Sequence, residues 1–483
     1  MRSFFKKHSF LIAALAILLL GAFFRFRDYP KRFAFNADQG RDALIAREIV
    51  EDKVLPLVGP PSSGGPFSYG PWYYWILSLS FLFSQKILLA PWVITTLISV
   101  FFVLVMIIAG YYLNGKMLAL ILGLLSAFST AEIRVSAHLA DVALVSFFSA
   151  LTVLSVILLV KLKKPLYSFL VGFFCSLAIN MHFSAFLFAP ILIAPLFAGK
   201  KKLFVNALLL FFGFLIPFAP LIIVNINHSW IMLKNIMDFF LYGKSNLWVS
   251  NRWLTYVFQF WPQLWAEIVG GTNLTSFLIV FLLGLFLVKD FLKRKLRLEI
   301  VALLVIFFLQ VVLLRYWTGE RQAVWLLFFN PLVIVFTGWV IVKIIKANAI
   351  LGVLFASLLV FTSYKNNVYH WEYVNQFEKI ALLKKDILFY IPEGKVSLYE
   401  CSGHSVIRDT TLPLLYLLEI ENKIDRNGIP VVISLDSSKD KRFSQAKKIS
   451  SDVFIISDKK LLPQDCYFMD QKRVYEETMT LNL

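Results

Sequence analysis

Eleven apolar segments dominate this sequence, at 9–24, 90–113, 116–131, 142–160, 166–181, 183–198, 203–224, 274–288, 298–314, 323–342 and 348–363. A helix needs about 20 predominantly apolar residues to cross a bilayer. Inside lipid only helices and closed barrels satisfy every backbone amide. Repeated apolar runs joined by short charged links therefore predict a mainly α, polytopic transmembrane helical bundle of about eleven spans. Composition agrees: 59% of residues are hydrophobic and 16% charged, whereas soluble chains carry about 45–50% and about 25%. Three cysteines, Cys175, Cys401 and Cys466, are too few for a disulfide framework or a zinc ribbon.

The net charge of +18 would suggest nucleic acid in a soluble protein, but its position argues otherwise. Short loops rich in Lys and Arg stay cytosolic. With eleven spans and a cytosolic N-terminus, the inner ends carry Arg2, Lys6, Lys7, Lys116, Lys161, Lys163, Lys164, Lys200–Lys202, Lys289, Lys293, Arg294, Lys295, Arg297, Lys343 and Lys346, against one acid, Asp290. The segment Trp72–Ser84 is short and rich in Trp and Tyr, which suits an interfacial or re-entrant helix. Counting it as a span would move most of these clusters outside. The opening residues resemble a signal peptide, but only Arg25-Phe26-Arg27-Asp28 follows, with no small-residue cleavage site, so 9–24 reads as an uncleaved span.

This parity leaves five connections outside: 25–89, 131–141, the turn at His182, 225–272 and 315–322. The tail 364–483 also lies outside. It balances 17 basic with 17 acidic residues and carries β-like runs at Lys395–Glu400, Pro430–Leu435 and Asp452–Ile456. It reads as a small extracytoplasmic α/β domain following a membrane domain at 1–363. Cys401 and Cys466 share the oxidising side, where pairing and free thiols are both open.

No charged residue falls in the middle of a proposed span, so the carboxylates, His or Arg that ion-coupled transport requires are missing. Polar chemistry is expected at the outer face. Its densest candidate is Asn36-Ala37-Asp38-Gln39-Gly40-Arg41-Asp42, followed by helically spaced apolar residues at 44, 45, 49 and 50. This predicts an amphipathic helix lying on the membrane, with Gly40 loosening its start. Asp38 either caps that helix or serves as a general base at the lipid surface. Arg41 and Asp42 join it as substrate-contacting candidates. The proline- and glycine-rich stretch that follows ends in Tyr69-Gly70-Pro71-Trp72, where Tyr69 and Trp72 either line a sugar subsite or form an interfacial aromatic belt.

The second outer turn offers Glu132, Arg134, His138 and Asp141, and a salt bridge to Arg134 is the structural alternative for Asp141. His182 ends another span. Arg315, Glu320 and Arg321 come last, and the guanidinium fork suits phosphate. Two carboxylates with imidazole and guanidinium groups, in an aromatic-lined outer cleft, suit a substrate that is half lipid and half phosphosugar. Neither a Walker loop nor a glycine-rich dinucleotide fingerprint is present, so an activated donor would have to be lipid-linked.

Residues 10–345 resemble the polytopic glycosyltransferases of the C-type fold, in particular glycosyltransferase family 39 with the protein O-mannosyltransferases and lipid A aminoarabinose transferases. The resemblance rests chiefly on Asp38 through Glu48 (DQGRDALIARE) and on Gly70-Pro71 to Tyr74-Trp75. It implies that Asp38 is the catalytic Asp that activates the acceptor. It implies that Asp141 is the second acidic position, that His182 meets the donor phosphate, and that Arg321 is the basic residue before a span containing Pro331. Many relatives have Asp-Glu where this chain has Asp38-Gln39, and some have an acid where it has Tyr69-Gly70. A divalent metal, with Asp38 and Asp141 as its ligands, is thereby left in question.

The expected function is transfer of a sugar from a polyprenyl-phosphate donor to an extracytoplasmic lipid, glycan or protein acceptor, with the lipid bilayer but no nucleic acid as partner. One rival is a lipid-linked oligosaccharide flippase or exporter, which predicts transport without a covalent product. The other is a glycan-binding membrane scaffold, which predicts indifference to substitution of Asp38 and Asp141.

Overall fold

The computed structural model describes residues 2–62, 65–82, 84–242, 252–317, 321–369, 375–392, 394–401, 405–434, 446–450, 452–456, 462 and 466–480. Among them, eight helices are long and apolar enough to cross a membrane. A ninth candidate is the pair Lys116–Phe128 and Thr130–Ser136, bent by 54°. Two shorter apolar helices, Leu166–Met181 and Phe183–Phe197, occupy the remaining apolar segments. The second is a 3-10 helix containing Pro190 and Pro195. At about 2.0 Å rise per residue its fifteen residues extend about 30 Å, close to the hydrocarbon thickness of a bilayer. The chain is a membrane protein, and the segment Trp72–Ser84 supplies no long helix: it forms Trp72–Ser78 and a 3-10 turn, Leu79–Phe81.

The chain divides into two compact units. The first comprises residues 1–27, 96–136 and 141–371. At its centre the Asn330–Ala347 helix is buried from Asn330 to Val342, because the helices Lys116–Phe128, Val145–Leu162, Asn273–Leu292 and Ala349–Tyr369 all pack on it. A helix apolar all round requires such an enclosed position. By contrast, Phe204, Leu274, Phe281 and Phe291 stand exposed on other helices, as lipid-facing residues do. Gly172 and Gly213 let the Leu166–Met181 and Leu203–Asn227 helices touch. A Cβ at Gly172 would lie 2.1 Å from the Leu210 carbonyl, and one at Gly213 2.1 Å from that of Phe169.

The second unit comprises residues 28–95, 137–140 and 372–483, so the first loop and the tail form one body. Its sheet has the order β3-β4-β2-β1-β5, with β1 Val396–Cys401, β2 Ile429–Ile433, β3 Lys447–Lys448, β4 Val453–Ile455 and β5 Cys466–Phe468. Strands β1 and β2 are parallel and joined by the Ser405–Ile420 helix; the other pairings are antiparallel. The expected β-like runs are β1, β2 and β4. Cys401 and Cys466 face each other across β1 and β5 and form a disulfide, which settles a pairing that spacing left open.

The helix expected on the membrane is Ala37–Asp52, and its position differs from that expectation. Ala43–Ala46 and Ile49 are buried, because the helix packs against Ser405–Ile420 and Gln471–Thr480 of the tail. Protein, rather than lipid, covers its apolar face. Gly40 is required by this packing, since a Cβ there would lie 2.6 Å from the backbone at Leu412 and Pro413.

Candidate functional site

The first cluster lies in the second unit, at the start of the Ala37–Asp52 helix. Asn36, rather than Asp38, is the N-cap: its side chain accepts from the Asp38 N–H at 3.1 Å, while the Gln39 side chain accepts from the Asn36 N–H at 3.1 Å. This capping box places Asp38 in the first turn, where the helix dipole favours a carboxylate. The Asp38 side chain is 67% exposed, whereas that of Asp42 is 3% exposed.

Arg41 bridges the two acids. Its Nη1 lies 2.8 Å from Asp38 Oδ1, and its Nε and Nη2 each lie 2.8 Å from Asp42 Oδ1. The Tyr74 hydroxyl donates to the same Asp42 oxygen at 3.1 Å. Burial pushes the Asp42 carboxyl up to about 6, against the attraction of Arg41. Tyr74 was not among the residues expected at the site; its sequence signal was the helical offset from Pro71.

The other first-loop candidates have local roles. Tyr69 is buried with its hydroxyl 3.3 Å from Ser62 Oγ, and Trp72 packs on Trp75 with ring centroids 4.9 Å apart. His138 is half-buried in the 137–140 stretch, where the Leu139 carbonyl accepts from Gln39 Nε2 at 3.3 Å.

Asp42 sets a pH prediction. Its pKa lies above the ordinary carboxylate value of 3.8, so the stability this group contributes is fully present below pH 3.8 and is lost as pH rises through about 6. Its charge, which holds Arg41, appears over the same range. If Arg41 aligns Asp38 for chemistry, turnover should fall as pH drops through about 6. The Asp42→Asn variant should lose that acid limb; an unchanged pH–rate profile would refute the role.

The second cluster lies in the first unit. Asp141 opens the 3-10 helix Asp141–Leu144, and its Oδ1 accepts from the Val142 N–H at 2.7 Å. The short helix Ala323–Trp325 touches that segment. His182 stacks on Trp325, with centroids 6.0 Å apart and ring planes 22° apart, and Nδ1 lies 2.7 Å from Ser184 Oγ. Burial holds the imidazole down at about 4, so it is neutral near pH 7. In that form the ring is a neutral hydrogen-bonding group, with Nδ1 directed at Ser184. Arg134 pairs with Glu267 at 2.8 Å.

Arg321 belongs to a guanidinium cluster. Its Nη2 donates to the Arg315 carbonyl at 3.1 Å, and its Cζ sits 5.1 Å from the centre of the Tyr256 ring. Arg315 lies over Trp253 at 4.5 Å, and Arg252 Nη2 donates to the Trp317 carbonyl at 2.9 Å. The Nε atoms of Arg252, Arg315 and Arg321 are all buried, with no hydrogen-bond partner among the described residues. Burial and repulsion by Arg252 and Arg315 lower the Arg321 pKa. Among the described residues no carboxylate forms an ion pair with any of the three; Glu320 lies outside the described residues. Gathered cations with unpartnered donors have the chemistry that suits an anion. Arg252, 63 residues before Arg315, carried no sequence signal of membership.

Glu132 is a further difference, for it is buried rather than part of an open outer turn. It accepts from Asn330 Nδ2 at 2.6 Å and from Ser146 Oγ at 2.9 Å, and the buried Arg25 attracts it electrostatically. As to metal, no group of three or more His, Cys, Asp or Glu side chains among the described residues is disposed to hold an ion. Asp38 is paired with Arg41.

No known protein family and no curated protein matches the sequence. Solved structures do match its fold. ArnT from Cupriavidus metallidurans in the apo state aligns with TM-score 0.61 at 11% identity, covering 96% of this chain and 100% of that one. The same protein bound to undecaprenyl phosphate aligns with TM-score 0.58 at 11% identity, covering 95% and 100%. The archaeal oligosaccharyltransferase AglB from Archaeoglobus fulgidus, in complex with an inhibitory peptide and a dolichol-phosphate, aligns with TM-score 0.52 at 11% identity, covering 99% of this chain and 78% of that one. With its mainly helical membrane bundle and small C-terminal sheet, the chain has the C-type glycosyltransferase fold shared by these proteins.

Proposed function

We propose that the protein is a membrane glycosyltransferase that moves a sugar from a polyprenyl-phosphate donor to an extracytoplasmic lipid, glycan or protein acceptor. The observation that carries this reading is the Arg252–Arg315–Arg321 cluster, whose three buried Nε–H groups have no acceptor among the described residues. A lipid-linked phosphate supplies both the charge and the oxygens they need. The undecaprenyl phosphate and dolichol-phosphate bound by the ArnT and AglB structures support the same class of ligand.

In this mechanism Asp38 takes the proton of the acceptor hydroxyl as its oxygen attacks the anomeric carbon, inverting that centre. The bond from that carbon to the phosphate oxygen breaks, and the electron pair leaves with the lipid phosphate. The arginines stabilise the charge that develops there. Arg41, fixed by Asp42 and Tyr74, orients Asp38. Asp141 and neutral His182 are proposed to contact the sugar and phosphate rather than to carry the proton.

The test uses the full-length protein in proteoliposomes. Hydrogen bonds to charged groups contribute about 1.5–3 kcal/mol each. The Arg315→Ala and Arg321→Ala variants should therefore each bind undecaprenyl phosphate about 10- to 100-fold more weakly. Unchanged affinity in the Arg252→Ala/Arg315→Ala/Arg321→Ala triple variant would overturn the phosphate site. Movement of lipid-linked sugar across the vesicle without a covalent product would favour an exporter.

A further inference from the structure

The 28–95, 137–140 and 372–483 unit contains a basic cavity apart from the clusters described above. The loop before the apolar Ala90–Asn114 helix adjoins the tail, where the Tyr416 hydroxyl donates to the Leu88 carbonyl at 2.7 Å. Beside this contact lies a cavity of about 620 Å³, lined by Lys86, Leu88, Lys384, Leu417 and Glu421, among others. Lys384 pairs with Glu421, whereas Lys86 forms no ion pair among the described residues. The cavity is therefore net positive.

Its height relative to lipid follows from the chain. Lys86 stands four residues before Ala90, the start of a membrane-crossing candidate. An extended chain reaches at most about 3.6 Å per residue, so Lys86 lies within about 14 Å of that start. With the reach of its own side chain it can occupy the headgroup layer. Leu79, Leu82 and Ile87 in the same loop are 49%, 61% and 52% exposed, and Leu382, two residues before Lys384, is 59% exposed. An ammonium pair flanked by exposed aliphatic side chains is complementary to a phosphate carried on acyl chains, more than to free phosphate.

We propose that this cavity binds the headgroup of an anionic phospholipid at the membrane surface and thereby seats the tail domain on the bilayer. The proposal rests on the membrane embedding alone and stands apart from the catalytic reading. It is tested with the full chain in nanodiscs of mixed phosphatidylglycerol and phosphatidylcholine, by quantifying the lipid retained on purification. A lysine near an anionic surface strengthens attraction about fivefold. Wild type should retain phosphatidylglycerol preferentially, Lys86→Gln should lower that preference about fivefold, and Lys86→Arg should restore it. Because Lys86 forms no described ion pair, its variant keeps the test clear of misfolding; a Lys384→Gln variant adds a second reading. Equal retention by wild type and Lys86→Gln would overturn the proposal. So would displacement of the bound lipid by excess inorganic phosphate, which would mark a free-anion site.

Discussion

Asp38→Asn is expected to cut sugar transfer by about 10²- to 10⁴-fold while leaving the protein folded and membrane-inserted. The amide keeps the size of the carboxylate but cannot accept the acceptor's proton. The fold does not depend on the charge: Asn36 and Gln39 cap the helix, and Arg41 keeps its bonds to Asp42. The Asp38 side chain is 67% exposed, so the change in stability should stay within about 0.5 kcal/mol. The measurement is turnover with donor lipid in proteoliposomes beside a thermal unfolding curve. Turnover within a few-fold of wild type, from a normally folded variant, would remove Asp38 as the base.

Glu132→Ala should produce the largest loss of stability, about 3–5 kcal/mol. The substitution deprives the buried Arg25 of an attracting charge and leaves Asn330 Nδ2 and Ser146 Oγ without their acceptor. Glu132→Gln retains one acceptor oxygen and should recover part of the loss. Denaturant unfolding of the purified protein measures both variants; an alanine variant within about 1 kcal/mol of wild type would show that the network is dispensable. Activity should fall with stability, because Ser146 lies in the first turn of the helix after Asp141, and Asn330 opens the helix that follows the Arg321 segment.

Much of the fold was legible because its signals are local. Each apolar segment carries its own transfer free energy, and 166–181 and 183–198 were recognisable although the helices there are short. The three main strands showed themselves as short β-like runs. The Asp38 motif was legible as a helix start, but whether Asp38 caps it was left open: Asn36 and Asp38 are both good caps, and only the backbone conformation shows that Asn36 is the one. The helix's apolar face was equally plain in the sequence. Its partner was not, since lipid and the tail helices demand the same pattern of residues.

Long-range groupings were the least legible. Arg252 joins Arg315 and Arg321 only through folding, and Arg25 attracts Glu132 across more than a hundred residues. At the end of an apolar run a charged residue reads as a snorkelling side chain, whether it faces water or a buried partner.

The sequence by itself determined that this protein lives in a membrane, which stretches are helical, and which first-loop motif merits attention. These properties sum over neighbouring residues. Only the tertiary structure decided that the first loop and the tail form one unit, that Cys401 pairs with Cys466, that His182 stacks on Trp325, and that Arg252 gathers with Arg315 and Arg321. Each of these depends on burial or on pairing between distant residues, and the free energy of a charge or thiol is set by what surrounds it rather than by what precedes it in the chain.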